Sequence, residues 1–398
     1  MNHFPNILSL LCLILSSSLW TSCASTPTPA PITTKAPQPT SQENDFEDPF
    51  QGPKRWDNLI DHFEFDCPVN GLKLETSVSL NIGGNNFTID GSTMRLEEKN
   101  WGDKLKIGIL AGIEDPSSRT LANLRYAAKI FKKRKIDLVL INGDMGGSRD
   151  DIFEIMKALV RLFPFPILFH SGNTEPTSVL NRTFSLLQKD HPHLINMNWV
   201  RHLDLGKIHL LSLPGHHERA TLYAGGCHYK KADIDYISLI AQQIAAEGHT
   251  AILSAHNVPK SKGRKGIDYA FTLGNAGDPQ LTNLIAESAI PFGIFSHISE
   301  AGGRASKDLR TGKLLKGRKK KNVKQLYMNV GNATSTPILL HSKVSSRGMA
   351  AIFSLEKRNG SVEFIKLRPL WKHGKRKRSK KKKKKKKRKA PSGAWKGL

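Results

Sequence analysis

Acidic residues are scarce in this chain: 34 Asp and Glu stand against 61 Lys and Arg in 398 residues, for a net charge of +27. The deficit is local. Residues 375–389 hold 14 Lys or Arg and no acid, and residues 304–324 hold ten against the single Asp308, a net of +9. Taking 14 and 9 from 27 leaves +4 for everything else, which excludes a uniformly basic body. Cysteine is also sparse. Of the four, Cys12 and Cys23 lie in an N-terminal apolar stretch, so only Cys67 and Cys227 remain for the folded part. They form one disulfide at most; two separate buried thiols fit equally well. Long apolar runs are missing: the longest, residues 7–20, is too short to cross a bilayer comfortably. No repeat of solenoid period is present. No aromatic residue interrupts residues 375–389, so base stacking is not indicated there.

What the chain does have begins with an export signal. Residues 7–20 form the apolar region, and Thr21, Ser22, Cys23 and Ala24 supply the small residues of a cleavage site, although residues 1–6 lack Lys and Arg. Two cleavage readings stand: cutting after Ala24, or a lipobox over residues 19–23 with Cys23 lipidated. The Pro/Thr/Ser-rich stretch 25–51 suits a surface tether and favours the lipoprotein; Trp20 fits a lipobox poorly. The expected organisation is a signal over 1–23, a linker over 24–60, a small β extension over 61–104, the main domain over 105–370 and a polybasic tail over 371–398. The product is exported, either membrane-anchored as a lipoprotein or periplasmic or secreted. Its only membrane contact is through a lipid anchor.

With 38% hydrophobic residues and a mean hydropathy of -0.38, the main domain can bury a sizeable core. Residues 72–98 alternate loosely and contain the turn Gly83-Gly84-Asn85-Asn86, which reads as a hairpin. From Leu105 the pattern becomes strand and helix in alternation. Short apolar runs at 105–110, 136–141, 165–169, 208–213, 250–253 and 291–295 read as strands, with helices after Ser117 and at 150–163, 178–188, 234–246 and 281–288. Residues 325–330, 348–355 and 362–367 read as closing strands without helices between them. The fold class is therefore α/β, with layered sheets.

Each apolar run ends in residues able to bind a cation. Behind the six come Glu114, Gly143-Asp144, Gly172-Asn173, His216-His217, His256 and His297. Ligands collect outside the carboxyl ends of strands in open α/β sheets. A carboxylate, an amide carbonyl and two imidazoles arriving there from four strands point to a divalent metal site. Each residue alone is weak evidence: Gly-Asp turns are common, and a lone strand-end His is more often structural.

The stretch from Leu105 to about Leu367 resembles the calcineurin-like metallophosphoesterases. Their signature of Asp-x-His, Gly-Asp, Gly-Asn-His-Asp/Glu, a lone His and Gly-His-x-His is matched by Gly112-Ile113-Glu114, Gly143-Asp144, Gly172-Asn173-Thr174-Glu175, His256 and Ser296-His297-Ile298-Ser299. The resemblance implies a sandwich of two mixed β-sheets flanked by helices and a metal-dependent phosphoester hydrolase. It implies that Asp144, Asn173, His256 and His297 hold one divalent ion, with manganese, zinc, iron, magnesium and calcium undistinguished. Glu175 is a partner behind them. The family's other ion would need ligands that Gly112 and Ser299 cannot supply. Glu114 is the accessory ligand that could hold a weak second ion through oxygen. Thr174 stands where the family has a His that stabilises the transition state. Asp144 and His256 are assigned to catalysis with His217; either His216 or His217 could donate a proton or touch phosphate from the neighbouring loop, and loop histidines without a role are the plainer alternative.

The expected substrate is a phosphorylated small molecule or lipid, hydrolysed as a monoester or diester. The alternative is a catalytically impaired pseudoenzyme that binds an anionic ligand or an envelope surface. Residues 375–389 are too charged to fold alone and would bind an anionic envelope polymer, lipid or nucleic acid, with steep salt dependence. A solubilising tail without a partner is the simpler reading. Residues 304–324 read as a basic loop at the site mouth or as a disordered insertion. Oligomeric state is not readable.

Overall fold

A computed structural model describes residues 77–97, 101–316, 319–339 and 345–367. The expected signal, tether, Cys67 and polybasic tail lie outside those residues. The chain runs through β1 (Val78–Ile82), β2 (Asn85–Asp90), β3 (Thr93–Leu96), β4 (Lys104–Leu110), α1 (Ser118–Arg134), β5 (Leu138–Asn142), α2 (Arg149–Leu162), β6 (Ile167–His170), α3 (Thr177–Gln188), β7 (Leu194–Asn196), β8 (His202–Asp204) and β9 (Ile208–Leu213). It continues through α4 (Lys231–Ala246), β10 (Thr250–Ala255), a short hairpin of β11 (Tyr269–Ala270) and β12 (Gly274–Asn275), α5 (Pro279–Glu287), β13 (Phe292–Phe295) and β14 (Arg304–Ser306). It closes with β15 (Lys319–Val323), β16 (Leu326–Asn329), the pair β17 (Ile338–Leu339) and β18 (Ser345–Ser346), β19 (Met349–Glu356) and β20 (Asn359–Lys366).

Among the described residues two large sheets form. One has seven strands in the order β15-β20-β19-β4-β5-β6-β7, and the other nine in the order β1-β2-β3-β8-β9-β10-β13-β16-β14. Each mixes a parallel centre (β4, β5, β6 and β7; β9, β10, β13 and β16) with antiparallel edges. Side chains of a strand point alternately to its two faces, and that alternation builds the layers. On β5, Leu138 and Leu140 face the core between the sheets, while Val139 and Ile141 face the helices. On β9, Ile208 and Leu210 face inward, while Leu211 and Leu213 meet the other helical layer. Helices α1, α2 and α3 cover the seven-stranded sheet with Leu124, Phe131, Ile155, Leu159 and Leu180. Helices α4 and α5 cover the nine-stranded sheet with Ile237, Ile244, Leu281 and Leu284. Each such fully buried side chain contributes about 1.5–3 kcal/mol of transfer free energy. The result is the sandwich of two mixed sheets flanked by helices that the sequence resemblance implied.

Local signals set the helix starts. Ser117 caps α1 by accepting from the Thr120 amide, and Ser148 caps α2, whose first turn carries Asp150 and Asp151. Two expectations need correction. Residues 78–96 are not an extension packed on the domain: β3 pairs in parallel with β8 and continues the nine-stranded sheet. Ile82, Phe87 and Met94 complete the core between the sheets, which a detached hairpin could not do. Residues 304–324 are not one loop. Arg304–Ser306 pairs with β16 at one sheet edge and Lys319–Val323 pairs with β20 at the edge of the other, a position where Lys-rich strands are tolerated. Cys227 is disulfide-bonded, and its partner lies outside the described residues. No helix among the described residues is long and apolar enough to cross a membrane.

Candidate metal centre

Four parallel strands of the two sheets end side by side, and their first loop residues converge. Asp144 follows β5, Asn173 follows β6, His256 follows β10 and His297 follows β13. His256 Nε2 lies 3.2 Å from Asp144 Oδ2 and 3.1 Å from Asn173 Oδ1; His297 Nδ1 lies 2.9 Å from the same Asn173 oxygen. One ligand atom from each of Asp144, His256 and His297 lies within 4.8 Å of the others. The turns make this approach feasible. Asp144 and His297 adopt left-handed φ values of 56° and 39°, which fold their side chains back over the strand ends. Gly143, at φ 76°, and Gly172 leave the space: a Cβ would lie 2.4 Å from His256 Nδ1 at the first and 2.2 Å from Asp144 Oδ1 at the second.

A layer of hydrogen bonds behind the donors orients them. The His256 Nδ1–H donates to the Asn142 carbonyl at 3.0 Å, which turns Nε2 toward the cluster. The Asn173 amide nitrogen donates to the Thr221 carbonyl at 2.9 Å, so its oxygen faces inward. Asp144 Oδ1 accepts from the Asn173 and Thr174 amides and the Thr174 hydroxyl, leaving Oδ2 for the cluster. Glu175 is fully buried and accepts from the Met145 and Gly172 amides at 2.6 and 2.9 Å, clamping the two loops that carry Asp144 and Asn173.

Electrostatics agree with a cation-binding role. Burial opposes ionisation of Asp144, but the neighbouring His256 and His297 and the hydrogen bonds from His256 and Thr174 outweigh it and hold the carboxyl below the usual range. Burial disfavours a charged His256, yet Asp144 reverses this and raises it. Burial and the neighbouring His256 lower His297 to about 4, keeping that ring neutral. The donor spacings of 2.9–3.2 Å match the edge of a tetrahedron with ligand bonds near 2.0–2.1 Å, which is about 3.3 Å. Two imidazoles, a carboxylate and an amide oxygen thus fit one divalent ion, whose binding would displace any proton held on His256 Nε2.

Glu114 is placed differently. It is not part of this group; its Oε1 accepts from Asn332 Nδ2 at 3.2 Å. The same nitrogen donates to Ser299 Oγ at 2.9 Å, and a Cβ on Gly112 would lie 2.7 Å from Asn332 Cγ. The Asn332 amide therefore sits among the three positions where the resemblance lacks its second set of ligands. Two backbone bonds bring it there: the Ala333 amide to the Ala111 carbonyl at 2.7 Å, and the Thr334 amide to the Gly112 carbonyl at 2.9 Å. Burial, Asp144 and Asp115 together raise Glu114 to about 7. One Glu114 oxygen is thus engaged by an amide donor, and burial beside two carboxylates favours its neutral form.

Of the two loop histidines, only one meets the cluster directly. His216, not His217, packs against the cluster, with its ring 4.6 Å from that of His297. His216 is buried, and its Nδ1 accepts from the Glu218 amide at 3.0 Å, which places the ring hydrogen on Nε2. Burial and three neighbouring histidines keep it neutral, well below the ordinary imidazole value. His217 lies one ring further out, 4.7 Å from His216, and takes a hydrogen bond from Asn257. Asn142, Thr221 and Asn332 carry parts of this site that the sequence did not flag. For Asn332 a signal existed: Gly331-Asn332 follows a strand, as Gly172-Asn173 does.

No family model matches the sequence, and no curated protein matches it. Solved structures similar to it include TT1561 of Thermus thermophilus, at 14% identity over 66% of this chain and 99% of that one, with a TM-score of 0.44. A purple acid phosphatase from yellow lupin seeds is similar at 12% identity over 71% of this chain and 57% of that one, TM-score 0.44. A dimetal phosphatase from Danio rerio is similar at 10% identity over 66% and 99% of the two chains, TM-score 0.42.

Proposed function

We propose that the chain is a phosphoester hydrolase working with a single divalent ion held by Asp144, Asn173, His256 and His297. The observation that carries this reading is the set of three contacts of 2.9–3.2 Å that link the four donors, with the other polar atoms of Asp144, Asn173 and His256 already engaged. When bound, such an ion lowers the pKa of a coordinated water and polarises a phosphoryl oxygen. The protein supplies the rest. Asp144 and Asn173 fix the coordination geometry, held by Glu175 and Thr221. Neutral His216 presents an N–H beside His297, where it can hydrogen-bond a phosphoryl oxygen or the departing oxygen without giving up its proton. The Thr174 hydroxyl is committed to Asp144, so it does not replace the missing acid.

One observation favours a second reading, a binding module for anionic phosphoesters without turnover. Asn332 fills the half of the site where a second ion would clamp the opposite oxygen. Losing that clamp costs several kcal/mol, and about 4 kcal/mol is already roughly a thousandfold in rate. The deciding experiment measures bound metal per chain and hydrolysis of a generic phosphodiester, with and without added manganese, for the native protein and His256→Ala. Metal-dependent turnover abolished by the substitution supports the hydrolase. Bound metal without turnover supports the binding module. A native chain that binds no metal refutes both.

A further inference from the structure

A second histidine cluster lies at the opposite end of the nine-stranded sheet. His202 and Asp204 come from β8, His209 from the start of β9, and Glu247 and His249 from the turn between α4 and β10. The first centre sits beyond the carboxyl ends of β10 and β13, whereas this one sits at the amino ends of β9 and β10. The two therefore share no residue.

Three donor atoms here face one another. His209 Nε2 lies 3.1 Å from His249 Nδ1, and Glu247 Oε2 lies 3.2 Å from the same nitrogen. Ligand atoms of His209, Glu247 and His249 all fall within 4.8 Å. His249 Nδ1 carries either one hydrogen or one lone pair, so it can satisfy only one of its two neighbours by hydrogen bonding. A cation in their midst satisfies all three. The spacings again match the roughly 3.3 Å edge of a tetrahedral site with N/O ligands.

The surroundings select these atoms as ligands. Asp204 Oδ1 lies 3.5 Å from His209 Nδ1, and His202 Nε2 lies 2.9 Å from it. A hydrogen on His209 Nδ1 donated to His202 Nε2, with the Asp204 carboxylate 3.5 Å away, leaves Nε2 as a lone pair aimed at His249, the kind of hydrogen bond behind a ligand that fixes its tautomer. Gln243 donates to Glu247 Oε1 at 3.2 Å, which leaves Oε2 for the cluster. His209 is buried, while His249 and Glu247 are reachable from solvent, their side chains 32% and 46% exposed. Both line a cavity of about 430 Å³ with Lys207, Lys357 and Arg358. Two protein imidazoles, one carboxylate and a position open to a cavity form the donor set of an exchangeable zinc site; magnesium and calcium, which prefer all-oxygen shells, are disfavoured.

We propose that His209, Glu247 and His249 bind a divalent transition metal of the zinc class, with the fourth position open to the cavity and to a small anion or water. The test uses the full chain, stripped with chelator and then titrated with zinc and with cobalt(II). The titration is repeated in His297→Ala, which weakens the first centre, so that the two sites are read separately and the fate of the phosphoesterase proposal does not enter. In that background one zinc per chain is expected, with a visible cobalt spectrum of four-coordinate type. Adding His249→Ala should abolish both, and adding the nearly isosteric Glu247→Gln should weaken zinc at least about tenfold. Both positions are partly exposed, so circular dichroism and thermal unfolding in chelator should stay native-like. A His297→Ala chain that binds the same zinc with or without His249→Ala or Glu247→Gln, or one that binds no zinc at all, overturns the proposal.

Discussion

Substituting Gly172 by alanine puts a single methyl group where the candidate centre has no room. The added Cβ would lie 2.2 Å from Asp144 Oδ1, 2.6 Å from the Asp144 amide nitrogen and 2.9 Å from His256 Cε1. Ordinary contacts between heavy atoms run about 3.5–4.0 Å, so something must retreat by more than an ångström. The amide nitrogen belongs to a tight left-handed turn, and His256 is pinned through Asn142. The Asp144 carboxylate moves first, and the loop at residue 172 must shift as well to clear the backbone amide. Its Oδ1 then forfeits hydrogen bonds from the Asn173 amide, the Thr174 amide and the Thr174 hydroxyl. Overpacking costs about 1–3 kcal/mol, and one lost hydrogen bond to a charged group costs about 1.5–3 kcal/mol. With at least one of these bonds lost outright, the lower ends of the two ranges together give a destabilisation of at least about 2.5 kcal/mol, expected in chelator and read from denaturant unfolding at constant slope. Misplacing an anchor of the ligand set should also weaken manganese or zinc about 10–100-fold, read by calorimetric titration. The shift in unfolding free energy on adding metal should shrink in step, by about 1.4 kcal/mol for each factor of ten in affinity. Gly172→Ala protein that keeps both the native unfolding midpoint and the native metal affinity would refute the placement of these loops.

Acid should destabilise the chain through neutral buried histidines. Burial holds His170 at about 3 against an ordinary 6.5; because the folded value is the lower one, its stability contribution is complete above pH 6.5 and is lost as pH falls toward 3. The difference amounts to about 2 kcal/mol at pH 5, and His170→Asn should flatten the pH dependence of unfolding free energy by up to one proton across that window; an unchanged slope contradicts the assignment. Asn332→Ala removes the amide shared by Glu114 and Ser299 in a site only 5% exposed, so it should cost about 1–3 kcal/mol in denaturant unfolding while leaving the metal affinity of the Asp144 centre within a few-fold of native. A native midpoint, or a large loss of that affinity, would contradict the separation of the two halves.

What was legible in the sequence was periodic. The run 208–213 coincides with β9, and the runs at 105–110, 136–141 and 165–169 fall within a residue or two of β4, β5 and β6, because strands buried on both faces show continuous apolar residues. The residues at their tips could be named where glycine followed by a polar residue ends the run, as at Gly143-Asp144, Gly172-Asn173 and Gly215-His216. Illegible were the short strands β7, β8 and β14, whose three residues carry too little alternation to register. The mixed edges β3 and β15 were misread because their partners, β8 and β20, are distant in sequence. The same cause hid the orienting groups. Thr221 and Asn142 act through backbone carbonyls, which no side-chain pattern marks. The choice between His216 and His217 depends on which adjacent ring turns inward after Gly215, and two consecutive identical residues cannot reveal it.

The departures from the resembled signature look independent in the sequence, at Gly112, Glu114 and Ser299, but the fold joins them through one side chain. Asn332 reaches its position because Ala333 and Thr334 bond the backbone of Ala111 and Gly112. Once there, it donates to both Glu114 and Ser299 and leaves no space for a Cβ at 112. A side chain restored at 112 alone would meet Asn332 Cγ at 2.7 Å. A histidine restored at 299 alone would have to displace the amide from its hydrogen bond, and the nitrogen would still have only Glu114 to serve. No single reversion then regains the second set of ligands, since each meets the same buried amide. The lone-ion centre is in this sense a packed arrangement in its own right, in which an uncharged donor takes over the electrostatic duty of a cation toward Glu114.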